Sequence, residues 1–267
     1  MTTAPRSDAS RFAKGIFAPA PQRSDMAKLV MSQAWLETKL FWRHGEQMLL
    51  TIIIPLAMLI GLVMVPVLEL DDPLERIFPM VLAISVMSAG FTGQAIAVGF
   101  DRRYGALKRI GASGVPPWGI IAGKIVSVCT TVTLQYVLFS LVGLALGAEL
   151  SIGGWLLAYV GMLLGTFVFT SLGLLMGGTL GAELILGLAN LIWFLLIGAT
   201  TYVAVAPSLD GISSVLLHLL PSVALTDVIS AALAMSVHWS AVGVLIVWGV
   251  LGAALAVRWF RFDMPND

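Results

Sequence analysis

The chain has 267 residues, of which 58% are apolar and only 11% are charged, with a mean hydropathy of +0.96. A soluble domain carries about a quarter charged residues, so this composition excludes a water-soluble globular protein and points to a bilayer. The formal net charge is zero, nucleic acid is not an expected partner, and the charges that exist are sorted by position.

Residues 1–25 mix Pro, Ser, Ala and charge without apolar periodicity and are expected to form a disordered tail. Residues 26–47 read as an amphipathic helix. At 100° per residue, Val30, Met31, Ala34, Trp35, Phe41 and Trp42 share one broad arc, while Lys28, Ser32, Lys39 and Arg43 share another. A tryptophan-bearing apolar arc beside a cationic one describes a helix lying in the membrane interface, with Trp35, Lys39, Trp42 and Arg43 as its anchors.

A spanning helix needs about 20 mostly apolar residues. Between 48 and 257 the windows 48–68, 77–100, 120–146, 155–176, 184–206 and 239–257 qualify as six spans. Pro55 removes a backbone donor from the first and is expected to kink it. Gly161, Gly165, Gly173 and Gly177 give the fourth a small-residue face suited to close helix approach. The stretch 207–238 is too apolar for a solvated loop, and Pro221 divides it into halves too short to span. It reads as a re-entrant hairpin before the last span. A count that made it a seventh span would place Arg258 and Arg261 outside, against the charge rule.

Orientation follows from Lys and Arg. With the N-terminus inside, fourteen of the fifteen basic residues face the cytoplasm and only Arg76 faces out, while Glu69, Asp71, Asp72, Glu75, Glu149, Asp210 and Asp227 lie outside. The expectation is a multi-pass protein of the cell (plasma or inner) membrane with both termini cytoplasmic and a short tail at 258–267. The first apolar run begins after more than forty residues holding seven basic side chains, which is unlike a cleaved leader.

The densest basic stretch is Asp101-Arg102-Arg103-Tyr104-Gly105-Ala106-Leu107-Lys108-Arg109-Ile110. A Lys or Arg at the bilayer centre costs about 2.5 to 3.5 kcal/mol, so this stretch must be a cytoplasmic loop. It also reads as a short amphipathic helix, with Leu107 and Ile110 on one side, and a helix between two spans offers a surface on which a soluble partner can push.

Other chemistries find little support. Gly119-Ile120-Ile121-Ala122-Gly123-Lys124-Ile125 lacks the glycine spacing and the hydroxyl of a phosphate loop, so any ATP-driven motor is expected on another chain, with ATP and magnesium bound there and no cofactor here. His44, His218 and His238 share no ligand spacing, and no metal site is expected. Gly111-Ala112-Ser113-Gly114 is similar to the Gly-x-Ser-Gly of rhomboid intramembrane proteases, but Ser113 sits in a basic loop and His218 and His238 on the opposite side, out of reach as a base. Gln94, Thr131, Gln135 and Asn190 lie within spans, where each either bonds a neighbouring helix or lines a pathway. No acid is buried mid-span, which argues against a proton-coupled transporter.

The basic stretch, followed by Ser113-Gly114-Val115 and Gly123-Lys124, resembles the signature of type-2 ABC exporter permeases, which runs acidic-Arg-acidic-x-Gly-Thr-Leu, then basic residues, then Gly-Lys at the next span. Asp101, Arg102, Gly105, Leu107, Ile110 and Gly123-Lys124 match; Arg103, Ala106 and Ser113-Gly114 depart from it. Leu220-Pro221-Ser222 with Thr226-Asp227 resembles the family's Asn-Pro segment in its re-entrant hairpin. Among its branches, the daunorubicin-resistance-type drug exporters are the most similar.

The resemblance implies an all-α integral membrane protein with an N-terminal interfacial helix, six spans and an extracellular re-entrant hairpin before the last. It implies two permease chains, as a homodimer or heterodimer, on two ATP-binding subunits, moving an amphipathic or hydrophobic substrate outward. Residues 101–110 would be the coupling helix, with Leu107 and Ile110 as apolar anchors in the motor and Arg102, Arg103, Lys108 and Arg109 setting its orientation. The interfacial helix would be a second contact with the motor. A permease for polysaccharide or lipid-linked glycan is the alternative.

Overall fold

The computed structural model describes residues 25–43, 45, 49–65, 72–112, 115–149, 151–205 and 211–261. The expected tail at 1–25 (but for its last residue), the outer-loop acids Glu69 and Asp71, Ser113 and Gly114, the side chain of Trp42, Asp210 and most of the tail at 258–267 lie outside them. Among the described residues every regular element is helical.

The order is α1 (Met26–Arg43), a π-helical turn (Leu49–Ile53) leading into α2 (Ile54–Met64), α3 (Pro73–Arg103), α4 (Ala106–Ala112), α5 (Pro117–Ala145), α6 (Ile152–Thr179), α7 (Ala182–Val205), α8 (Gly211–His218), α9 (Pro221–Leu233) and α10 (Trp239–Trp259). Helices α3, α5, α6, α7 and α10 are long and apolar enough to cross a bilayer. At 31 residues α3 is about 46 Å long, well beyond a hydrocarbon core of about 30 Å, so its ends project. It is also the most enclosed of the five. Its start is set by Pro73 in the first turn and by Asp72, whose carboxylate accepts from Glu75 N at 3.4 Å.

Among the described residues of the window 48–68, the apolar helix covers Thr51–Met64, about 21 Å at 1.5 Å per residue. Two prolines shape it. Val65, which precedes Pro66 in the chain, is extended at φ −103° and ψ 113°, as residues before proline are. At the other end Pro55 cannot donate to the Thr51 carbonyl. Gln135 Nε2 from α5 does so instead, at 2.6 Å.

The glycine face of α6 is used within the chain. A Cβ on Gly173 would lie 2.6 Å from the carbonyl oxygens of Gly90 and Phe91, Gly177 abuts Ala95 and Val98, and Gly161 and Gly165 receive Val228 and Leu225 of α9. The approach at Gly173 falls on a π-helical turn of α3, Ser88–Thr92, whose Ser88 Oγ accepts from Trp193 Nε1 of α7 at 3.0 Å. Helix α6 is thus the hub on which α3, α9 and α10 pack.

Helices α8 and α9 are the broken pair. Pro221 opens α9 after a bend of 84°, and neither half is long enough to span. Helix α9 is buried against α6, α3, α10 and α7, whereas α8 buries no residue. The fold leaves two chemically distinct ends. Asp72, Glu75, Glu149 and Asp227 lie at one; Arg102, Arg103, Lys108, Arg109, Lys124 and Arg258 lie at the other.

Candidate functional site

The basic end is organised around the corner between α3 and α5. Helix α3 terminates in a left-handed glycine: Gly105 has φ +69°, its N–H bonds Arg102 O at 3.0 Å, and Tyr104 N bonds Phe100 O at 2.9 Å. No atom lies within 4 Å of a Cβ placed on Gly105, so conformation alone demands glycine there. Gly105→Ala is expected to cost about 1–2 kcal/mol, the usual penalty of a Cβ in that region, read as a lowered midpoint in thermal unfolding of the detergent-solubilised protein.

The turn delivers α4, seven residues long, onto the bundle. Leu107 is fully buried among Val98, Ile120, Leu174 and Ala256, and Ile110 packs against the same cluster. The expectation that Leu107 fills a partner's groove is therefore corrected, while Ile110 is only partly buried. The apolar face of α4 is turned inward, where it buries against the ends of α3, α5, α6 and α10 and holds the corner in place. What faces outward is Arg103, Tyr104, Lys108 and Arg109. Tyr104 is 69% exposed and stacks on Phe100. Arg103 pairs with Glu183 across the surface at 3.2 Å, a contact worth about 0–1 kcal/mol in water.

Arg102 does not join that outer surface. It is 3% exposed, and its Nη1 donates to the carbonyls of Gly177 and Leu180, each at 2.8 Å. These carbonyls end α6, where they have no helical partner and the helix dipole is negative. A guanidinium satisfies both and ties the last turn of α3 to the last turn of α6.

The adjacent Asp101 ties α3 to two other helices. Lys124 of α5 is fully buried, with Nζ 2.8 Å from Glu37 Oε1 and 3.2 Å from Asp101 Oδ2. Glu37 belongs to α1 and is oriented by Gln33 Nε2 at 3.0 Å. The preceding residue, Gly123, lets α1 approach: a Cβ there would lie 2.7 Å from Gln33 Cγ. Thr38 Oγ1 and Ser127 Oγ meet at 3.1 Å one turn further along. One lysine thus joins α1, α3 and α5.

Helix α1 consequently shows its polar residues to the protein. Gln33, Glu37 and Thr38 pack on α5 beside Ala34, whereas Met31, Trp35, Leu36 and Leu40 are exposed, as are Lys28, Lys39 and Arg43. The arc assigned from the sequence divides here, with Ala34 buried and Trp35 71% exposed. An outward face of that character suits lipid rather than water.

The four intramembrane polar residues do not converge. Gln135 serves the Thr51 carbonyl, Thr131 Oγ1 donates to Ser127 O at 3.3 Å, and Asn190 Nδ2 donates to Leu186 O at 2.8 Å. Gln94 is 8% exposed on α3 and its Oε1 has no hydrogen-bond partner. His44 lies outside the described residues; His218 and His238 lie at the acidic end, where His238 Nδ1 caps α10 by accepting from Ala241 N at 3.3 Å. Sequence reasoning missed Glu37, and its signal was faint: a lone acid among the cations of α1.

The family model for the ABC-2 family transporter protein matches residues 76–258. This chain belongs to the ABC-2 transporter family. The match begins in α3 and ends in α10, so it includes the basic corner, Asp101, Arg102 and Lys124, and stops short of α1 and α2. No curated protein matches the chain as a relative. Membership makes the chain a multi-pass, all-helical membrane component of an ABC transporter, a class that works with an ATP-binding partner. In this ABC-2 permease Gly105, Gly123 and Lys124 have physical reasons for their identities: a left-handed turn, a helix contact and a buried ion triad.

Proposed function

We propose that the chain is the permease subunit of an ABC exporter that carries an amphipathic or hydrophobic molecule outward. Two permease chains pair, each docked on an ATP-binding subunit that holds ATP and magnesium, and this chain has no catalytic residue. It sits in the cell membrane with both termini and the basic end cytoplasmic, consistent with the sorting of Lys and Arg.

The observation that carries this reading is the attachment of the basic corner. The outward set Arg103, Tyr104, Lys108 and Arg109 straddles the turn from α3 into α4; Leu107 of α4 is buried, the last turn of α3 is pinned to α6 through Arg102, and Asp101 beside it is pinned to α5 and α1 through Lys124. A load applied to that surface reaches four helices without an intervening flexible joint. A segment serving only as a positive-inside signal would need the charges but not the pins. The exposed Trp35 and Lys39 of α1, with Arg43, lie on an element fixed to the same corner, which suits a second contact with motor or membrane surface.

The test is co-purification in mild detergent with the ABC ATP-binding subunits of the source genome. A stoichiometric complex with ATPase activity is the expected result. Failure to form one with any of them would overturn the reading.

A further inference from the structure

We infer that His218 and Asp227 form a proton-operated latch between the two halves of the broken hairpin. Helix α9 is the fixed half. Its Ser222 is fully buried and donates to Leu196 O of α7 at 3.3 Å, and the helix packs on α6 and α3. Helix α8 is the loose half. It meets α9 at a bend of 84°, buries no residue, and leaves Ile212, Val215 and Leu216 exposed. Trp248 Nε1 of α10 holds the bend by donating to Leu219 O at 2.9 Å. His218, in the last turn of α8, meets Asp227 of α9 across the bend, with Nε2 3.7 Å from Oδ2.

The bonding of the ring decides what that contact is. His218 Nδ1 lies 2.7 Å from Ser214 O. A carbonyl only accepts, so Nδ1 carries the proton and the neutral ring turns the lone pair of Nε2 toward the carboxylate. Two acceptors then face each other, and among the described residues the buried Asp227 Oδ2 has no hydrogen-bond partner. One added proton makes the pair a donor and an acceptor, whether the imidazole or the carboxyl carries it. The pair then closes on a hydrogen bond and draws the end of α8 onto α9. Imidazole is the side chain that changes charge between about pH 5 and 8, so the latch closes in a mildly acidic medium and opens in a mildly basic one.

The other charged groups around Asp227 are Glu75 and Arg76 of α3, which line the same cavity, and His238 at the start of α10. Among the described residues α6 adds only Tyr159 as a titratable side chain, and the near end of α7 only Tyr202. Ordinary carboxyl, phenol and guanidinium groups hold their charge state between about pH 6 and 8.5, which leaves the two imidazoles. They are wired in opposite senses. His238 Nδ1 accepts from Ala241 N at 3.3 Å, so a proton there removes a cap from α10 instead of making a bond.

The latch belongs to the hairpin and needs no motor; that its closure hinders release at the outer face rests on the exporter reading above. The test is amide hydrogen exchange on the full chain in phosphatidylcholine nanodiscs, whose headgroup does not titrate in this range. His238→Asn serves as the reference chain, because asparagine keeps a capping side chain without a titrating one. Exchange rates of the α8 amides are compared at pH 6 and 8.5 after correction for intrinsic exchange, with unchanged protection of α9 showing that each variant is folded. The reference chain is expected to protect α8 about fivefold more at pH 6, a modest value for a charge-assisted bond that is partly exposed. His218→Phe, which can make no such bond, should leave α8 equally unprotected at both pH values. Asp227→Asn should keep α8 protected at both, because an amide can donate to the bare Nε2 and accept from the protonated one. Protection independent of pH in the reference chain, pH dependence surviving in His218→Phe, or an Asp227→Asn chain as unprotected at pH 8.5 as His218→Phe would overturn the latch. None of these results bears on complex formation with a motor, so the latch and the exporter reading stand or fall separately.

Discussion

The double variant Glu37→Gln with Asp101→Asn is expected to lose about 3–5 kcal/mol of stability, the cost of stranding a buried charge. Lys124 Nζ is fully enclosed and finds its two anionic partners at 2.8 and 3.2 Å. Each single change leaves the other carboxylate in place, so each should cost much less than half of the double. The effect is thus more than additive, as expected for groups sharing one partner. Adding Lys124→Met should recover most of the loss, because an apolar side chain of similar length in place of a buried ion cluster is often neutral. Thermal unfolding midpoints of the four variants in one detergent measure this. A double variant as stable as the parent, or a triple no better than the double, would show that the triad does not hold α1 and α3 on α5.

The spans and the broken hairpin were legible in the sequence because a bilayer imposes few solutions. Apolar runs of span length and Pro221 between two short apolar halves each have one physical reading. Pro55 was read as the loss of a backbone donor, and what meets the Thr51 carbonyl instead depends on Gln135, eighty residues away. The direction of α4 was not legible. A seven-residue amphipathic helix looks the same whether its apolar side meets a partner or its own bundle, and only the positions of Ile120, Leu174 and Ala256 decide it. Arg102 read as one cation of a basic string until the end of α6 came beside it. Glu37 gained meaning only when Gly123 and Lys124 were placed against α1. In each case the missing information was long-range, and periodicity within one segment carries none of it.

That inward orientation of Leu107 changes which substitution probes a motor contact. Leu107→Asp would bury a carboxylate in the cluster of Val98, Ile120, Leu174 and Ala256, and it would fail by loosening the corner itself. The informative variant is Tyr104→Ala with Lys108→Glu, because both side chains are exposed and neither belongs to that cluster. An exposed aromatic beside a cation is the composition that anchors interfaces, whereas removing either from a solvent-facing surface costs the free protein little. The expected result is an unfolding midpoint close to the parent's, with binding of the ATP-binding subunit weakened by about 2–4 kcal/mol, roughly thirtyfold to a thousandfold. Membrane insertion and yield should be unchanged. Parent-like complex formation would remove this corner as the docking surface and shift attention to the exposed face of α1, where Trp35→Ala with Lys39→Glu poses the same question.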